Sequence, residues 1–382
     1  MKRVNDTHRE VDKFGAGLDG YTEGEPGVTP RTGIRAEMLD HIQEEIAQTI
    51  EAAGFAIPTT GTSYVQLAQV IQATAMDAAV SNMEEKTLAG TIANAANAAA
   101  CLFDDDGNET WILCHAGGEI SRSVDGGETW TEDASATAED LRAVCSNGSN
   151  ATEGTLFVAV GNTGDIVTSA GAGAWTARTP AGGFAGTFWH VFWGGSLFVA
   201  LGSGGTIQTS PDGITWTART AAGGYANDFR GGAWNGSLYV IVGDAGEIQT
   251  SPDGITWTHR TPAGGYAGDY AECAYGNGVF VIAGSANGIQ TSPDGITWTA
   301  RTPHPDFSTW TALGFSSGIF VLLSATEGLL AVSTQGSSWR ARRHAGNGTM
   351  NGVGDGPGRV VIPTSFPGVF RSAKASMLLG GY

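Results

Sequence analysis

Short apolar runs of four to six residues, separated by glycine-rich turns, fill the chain from about residue 97 onward. In one stretch, HVFW and SLFVALG are joined by a Gly-Gly pair at 194–195. TIQTS follows, and ITWTART comes after the turn Pro211-Asp212-Gly213. Runs this short, bounded by turn formers and rich in β-branched and aromatic residues, predict strands rather than helices. The group of four recurs: tryptophans stand at 130, 175, 216, 257, 298 and 339, spaced 45, 41, 41, 41 and 41 apart. A period in the forties with several short strands per unit predicts a β-propeller. The phrase IQTSPDGITWT returns unchanged at 207–217, 248–258 and 289–299. Chemistry needs one copy of a motif, so three copies at a fixed interval mark architecture. Proline presets φ at this corner, Asp212 accepts turn amides, Gly213 tolerates positive φ, and Trp216 anchors the outer strand by burying a large ring.

Upstream the pattern changes. Residues 1–32 are polar and glycine-rich. Leu39, Ile42, Ile46, Ile50 and Ala53 fall at steps of three and four, predicting a helix that Gly54 caps shortly before Pro58. Residues 63–100 are alanine-rich and helical in propensity, and the stripe Val65, Ala68, Ile71, Ala75, Ala79 calls for a partner helix. The segment 349–372 reads as three strands of one more unit, with SMLLGGY supplying its outer strand. The expected organisation is an attachment segment at 1–60, a helical oligomerisation stalk at 61–96 and a mainly β propeller head at 97–382, with seven blades or alternatively six.

Composition sharpens this. The 58 glycines and 11 tryptophans, with only 15% charged residues, fit a turn-rich β protein with aromatic anchors. A formal net charge of −18 argues against nucleic acid as a partner. Cys101, Cys114, Cys145 and Cys273 show no metal-binding spacing, and Cys145 and Cys273 sit in strand-like runs that predict reduced, buried thiols. No metal and no cofactor is expected. The start MKRVNDTHREVDKFGAG has no apolar signal region, and no run approaches membrane-spanning length, so neither Sec export nor membrane insertion is expected.

The corners resemble the Asp-box (BNR) repeat of sialidase-like propellers, Ser-x-Asp-x-Gly-x-Thr-Trp. Ser123-Val-Asp125-Gly-Gly127-Glu-Thr129-Trp130 matches in full, and the corners holding Asp212 and Trp216, Asp253 and Trp257, and Asp294 and Trp298 are one residue shorter. SAGAGAW at 169–175 and STQGSSW at 333–339 lack the aspartate. The resemblance covers about 97–382 and implies a fold; propellers of this kind include hydrolases, lectins, assembly factors and adhesins. A second resemblance lies at 11–57. VDKFGAGLDGYTEGEPGVTP followed by LDHIQEEIAQTIEAAGF resembles the opening of tailed-bacteriophage tail fibres and receptor-binding proteins. It implies a homotrimer on the virion, attached to tail or baseplate proteins by its N-terminus, made in the host cytoplasm and released by lysis.

Differences among the repeats locate candidate chemistry. The loops PAGGFAGT, AAGGYAND, PAGGYAGD and PHPDFST lie opposite the corners, where sialidase-like folds bind ligands. They carry Phe184, Tyr225, Tyr266 and Phe307, with Asn227, Asp228, Asp269, His304 and Asp306 beside them. At the starts of inner strands stand Arg142, Trp189, His190, Arg230 and Glu272. These are candidate ligand-binding residues, or alternatively a solvated channel lining. Aromatics recurring at 188, 229, 270 and 310, and at 193, 234, 275 and 315, are read as packing between blades rather than carbohydrate platforms. Arg178, Arg219, Arg260, Arg301 and Arg342 each follow a corner tryptophan by three and are read as lying over that ring or pairing with a carboxylate. Arg142, Arg230, Tyr270 and Glu272 form an incomplete sialidase set, and nothing in the spacing singles out Asp228, Asp269 and Glu272 as glycosidase carboxylates. No catalytic residue is assigned. DDDGNE at 104–109 reads as a solvated turn, and GVGDGPG at 352–358 lacks the lysine and helix of a phosphate loop. The expected function is adsorption of a phage to a host-surface glycan or receptor. The alternatives are a tail-associated glycan-degrading enzyme and a purely structural tail or baseplate protein.

Overall fold

Each sequence repeat folds into one antiparallel sheet whose four strands follow in chain order, because each strand is too short to bury both faces without a neighbouring sheet. The computed structural model describes residues 84–87, 94–103, 109–148, 156–171, 173–286, 288–302, 309–316, 318–324, 329–343, 350–356, 359–364 and 368–371. They lie within one compact unit, Ala79–Lys374. The attachment segment, the helix at 33–53 and the stalk up to residue 83 lie outside the described residues, as do SMLLGGY and the loop holding His304, Asp306 and Phe307.

Six blades have inner strands at Ala96–Phe103, Leu141–Ser146, Phe188–Trp193, Phe229–Trp234, Tyr270–Gly276 and Ala312–Ser316. The third shows the plan: Phe188–Trp193, Phe198–Gly202, Ile207–Ser210 and Thr217–Arg219. Its register pairs Trp193 with Phe198 and Phe198 with Ser210, so the inner hairpin and the Pro-Asp-Gly corner share one face. Leu201 pairs with Ile207 and Ile207 with Arg219, which puts the other turns and the loops between blades on the opposite, loop face.

A seventh four-stranded sheet closes the ring. Gly354–Gly356 is its inner strand, followed by Arg359–Pro363 and Gly368–Arg371. Val353 packs on Gly314 of the sixth blade, and a Cβ on Gly354 would sit 2.5 Å from the Ala99 Cβ of the first. Its outer strand is Glu84–Thr87, antiparallel to Gly368–Arg371. Two expectations are corrected here. The outer place is held by residues just before the first blade rather than by SMLLGGY, and 84–87, assigned to the helical stalk, are strand. Ala96–Phe103 is likewise strand despite its alanines. Small residues suit an inner strand where strands converge on the ring axis, and that packing overrides helix propensity.

The corners form as the sequence predicts. Asp212 Oδ1 accepts the amides of Ile214 and Thr215 at 2.8 Å and the Ser210 hydroxyl at 2.9 Å, while Trp216 Nε1 donates to the Gly213 carbonyl at 3.1 Å. The Thr215 amide, with that of Ile214, holds the Asp212 carboxyl below the usual range. Asp253 and Asp294 are lowered in the same way, chiefly by Thr256 and Thr297. At Asp125, burial opposes the shift, and bonds from Thr129, Ser123 and Glu128 outweigh it. The aromatic rows are core: Phe188, Phe229, Tyr270 and Trp310 are buried, and Trp193 stacks on Phe198 at 4.5 Å between ring centres. The corner arginines, expected over the tryptophan ring or paired with a carboxylate, have a hydroxyl as hydrogen-bond partner. Arg178, Arg219, Arg260 and Arg301 each donate Nε to a threonine hydroxyl of the third strand (Thr168, Thr209, Thr250, Thr291) at 2.7–2.8 Å.

Two devices tie one blade to the next. Buried Gln208 mimics a peptide group, accepting the Ala181 amide at 2.8 Å and donating to its carbonyl at 3.3 Å; Gln249 and Gln290 repeat this on Ala222 and Ala263. At the turn between second and third strands, Gly164, Gly205 and Gly246 have positive φ, and a Cβ on each would lie 2.0–2.2 Å from the carbonyl oxygen of Phe184, Tyr225 or Tyr266 in the loop entering the next blade.

Candidate functional site

The inner strands of the first five blades share an irregularity near their starts on the loop face. Pairing slips between Ala96 and Ala98, Leu141 and Ala143, Phe188 and His190, Phe229 and Gly231, and Tyr270 and Glu272. The bulged residues are Asn97, Arg142, Trp189, Arg230 and Ala271. A bulge leaves one residue out of the ladder and re-aims its side chain. Here that occurs at the mouth of a central cavity of about 860 Å³.

Arg142, Trp189 and Arg230 come from three adjacent blades and meet. The Arg230 guanidinium lies 4.3 Å from the Trp189 ring centre and that of Arg142 5.6 Å, within cation–π range. Trp189 Nε1 donates to Asp228 Oδ2 at 2.9 Å. Arg230 reaches the same oxygen at 3.1 Å and both oxygens of Asp244, at 3.0 and 3.2 Å. Arg142 binds Asp140 at 3.1 Å and Asn162 at 3.2 Å. Both arginine side chains remain about one-third exposed.

Deeper in, His190 Nδ1 lies 3.3 Å from Glu272 Oε2. This pair joins the third blade to the fifth, across the inner strand of the fourth. The crossing is open because Gly231 stands there: a Cβ on it would fall 2.4 Å from Glu272 Oε1 and 2.6 Å from Glu272 Cα. Burial works against a charged imidazole, but the Glu272 carboxylate outweighs it and His190 is held above its ordinary pKa. The other ring nitrogen, Nε2, is buried with no partner in the protein. Gly231→Ala is expected to separate the pair. An NMR titration of His190 in that variant should show its pKa fall back toward or below the ordinary value.

The remaining expected site residues divide. Phe184, Tyr225 and Tyr266 pack on Phe188, Phe229 and Tyr270, with ring centres 4.7–4.8 Å apart. Tyr225 donates its hydroxyl to the Asp244 carbonyl at 2.9 Å and Tyr266 to that of Ser285 at 2.6 Å. They brace the loops. Asp269, together with Asp140 and Asp228, occupies one repeat position and accepts the amide of a left-handed residue in the preceding blade, Ala245, Gly117 and Gly204 respectively. Tyr270 of the incomplete sialidase set is buried beneath Tyr266, and burial pushes its hydroxyl pKa up. Glu272 accepts the Cys273 amide at 3.0 Å besides facing His190. The sequence reading missed Asp244, whose place is filled by Asn162, Ser203 and Ser285 in neighbouring blades. The substitution marks it as a position free to vary, but only the fold puts it beside Arg230.

Cys273 and Cys114 are buried and Cys145 half-buried, all as free thiols. Among the described residues, no cluster of metal-ligating side chains occurs and no helix is long and apolar enough to cross a membrane. Glu109, the last residue of DDDGNE, is buried in a strand and accepts Trp111 Nε1 at 3.1 Å.

No protein-family model matches the chain. A 55-residue stretch, 14% of the chain, is 40% identical to "Uncharacterized protein StfP" of Escherichia coli (strain K12), spanning about a quarter (26%) of that protein's length. Solved structures share the fold at low identity. "YCF48 bound to D1 peptide" covers 78% of this chain and 97% of its own, with a TM-score of 0.59 and 15% identity. The WD40 β-propeller domain of Doa1 covers 76% and 97%, with a TM-score of 0.59 and 12% identity. YCF48 from Cyanidioschyzon merolae covers 76% and 99%, with a TM-score of 0.57 and 13% identity. The chain is a β-propeller.

Proposed function

We propose that the chain is a phage tail fibre or receptor-binding protein, held to the virion by residues 1–60 and adsorbing to the host surface through the loop face of its propeller. The observation that carries the binding half is the Arg142–Trp189–Arg230 row. Three strand bulges bring these partly exposed side chains together at the mouth of a cavity whose size falls in the range of ligand pockets. The virion half rests on the FGAGLDGY opening and the helix sequence after it. Trimerisation would let three such mouths act together, so modest affinity at each suffices. Hydrolysis needs a carboxylic acid positioned to give up a proton beside a second carboxylate. Asp228 and Asp269 are instead tied to main-chain amides and Glu272 to His190, which supports binding over cleavage.

Purified full-length protein in excess should block adsorption of the virions that carry it. A Trp189→Ala protein of unchanged melting temperature should block far less. If saturating wild-type protein leaves adsorption untouched, the receptor-binding reading is wrong.

A further inference from the structure

Opposite the loop face lies the corner face, and it is there that the apolar surface of the propeller comes out. Among the described residues, the large apolar side chains that stand exposed are Val124, Ile214, Ile255 and Ile296, and each belongs to a corner. Leucines join the three isoleucines. A Cβ on the corner glycines Gly213, Gly254 and Gly295 would lie 2.6, 3.1 and 2.8 Å from a methyl of Leu156, Leu197 and Leu238, so each corner rests on a half-exposed leucine of the preceding blade. Leucine and isoleucine therefore follow one another in an arc across blades two to five. Contiguous exposed apolar surface marks interaction sites, whereas single exposed residues need no explanation. The charge beside the arc has one sign. Asp212, Asp253 and Asp294 are exposed next to the isoleucines, and turn amides hold them ionised. The described hairpins and corners of these blades contain no lysine, arginine or histidine. A second copy of the same face would set aspartate against aspartate, so a basic partner fits and a self-contact does not.

The strand that closes the ring says which way this face points. Glu84 pairs with Arg371 and Thr87 with Gly368. Gly368–Arg371 is the third strand of its blade, and third strands end at the corner face, as Ile207–Ser210 does. Glu84 therefore stands at the corner face, and the chain from the N-terminal side joins the propeller there. We propose that the corner face of blades two to five docks on a basic, apolar protein surface of the virion, so that the loop face is left to the host. This rests on the reading of the chain as a virion protein held by residues 1–60.

The test loads purified full-length protein onto virions that lack it. The triple variant Ile214→Lys, Ile255→Lys, Ile296→Lys keeps aliphatic stems in exposed turns but sets cations against a basic partner. It should load at least about tenfold less than wild type, at an unchanged melting temperature. The triple variant Ile214→Glu, Ile255→Glu, Ile296→Glu loses the same apolar contact but keeps the favourable sign, and should retain more. Free in solution, the first variant should still block adsorption as wild type does, because its loop face is untouched. Loading equal to wild type in that variant would overturn the docking surface. Equal losses in both variants would overturn the basic partner. A change of oligomeric state in the first variant without virions, read by sedimentation, would overturn the proposal in favour of a second copy. Lost blocking by that variant, still folded, would overturn it by placing the arc against the host. Wild type that never loads would refute the virion reading itself, whatever the variants do.

Discussion

Gly205→Ala is expected to destabilise the propeller by about 3–5 kcal/mol, the sum of a left-handed backbone carrying a side chain and a Cβ forced against main chain. The new Cβ would lie 2.2 Å from the Tyr225 carbonyl oxygen and 3.0 Å from its carbon. Neither can retreat, because the Gly205 amide donates to the Asn227 carbonyl of the same loop at 2.6 Å. The melting temperature should fall by on the order of 10 °C for a domain of this size. The adjacent glycine is the control. Gly204 also has positive φ, but a Cβ there meets nothing within 4 Å. Neighbouring blades already place Thr163 and Ala245 at this position in the left-handed conformation. Gly204→Ala should therefore cost only about 1–2 kcal/mol, the left-handed backbone alone. Equal losses from the two substitutions in thermal melts would mean that the blade seam is looser than the structure draws it.

Acid should weaken the fold well before carboxylates titrate. His115 is fully buried in the second strand of the first blade, with Nδ1 3.2 Å from the Asn94 carbonyl and Nε2 2.8 Å from the Ser121 hydroxyl. Burial is the main reason its pKa is pushed down to about 4. The unfolded chain takes up this proton near pH 6.5, whereas the folded chain resists until about 4. Stability from the neutral imidazole is thus complete above pH 6.5 and lost as pH falls toward 4, by about 3 kcal/mol. Below that, the corner aspartates with lowered pKa values add a loss of the same sign as they become protonated. His190 works in the opposite sense. Its pKa is raised, so its contribution is full below pH 6.5 and is lost as pH rises through the folded value. Denaturation measured from pH 8 to 4 should show a steep acid limb in wild type. The limb should flatten in His115→Gln and persist in His190→Gln. An unchanged limb in His115→Gln would show that another group controls it.

The strand repeat, the corner chemistry and the order of strands within a blade were legible because they are local: Pro211, Asp212, Gly213 and Trp216 do their work within seven residues. What was not legible depends on contacts between repeats. The alanines up to residue 100 have helical propensity, yet they open the strand Ala96–Phe103, because they stand where seven inner strands converge. Tyr225 and Tyr266 read as ligand contacts because their sequence position is right; their hydroxyls are turned back onto carbonyls of their own blade. Arg142, Trp189, His190, Arg230 and Glu272 could be chosen because charged and aromatic residues at inner-strand starts are unusual. Their meeting required the bulges, which shift each side chain by one position relative to simple alternation. That His190 reaches Glu272 past an entire blade depends on a missing Cβ at Gly231, which no pattern of hydrophobic and polar letters reveals.

The strand Glu84–Thr87 determines where the head can be cut. A recombinant fragment started at residue 97, where the tryptophan period begins, would leave Gly368–Arg371 as a bare edge, with its outward amides and carbonyls open to any passing strand. Such a fragment would tend to stick to itself, and a failed adsorption assay with it would say nothing about the receptor. Started before residue 84, the fragment carries its own seam. In the whole protein, tension arriving along the chain from the N-terminal side enters the propeller at that seam, along a strand clamped by four residue pairs rather than at a frayed end.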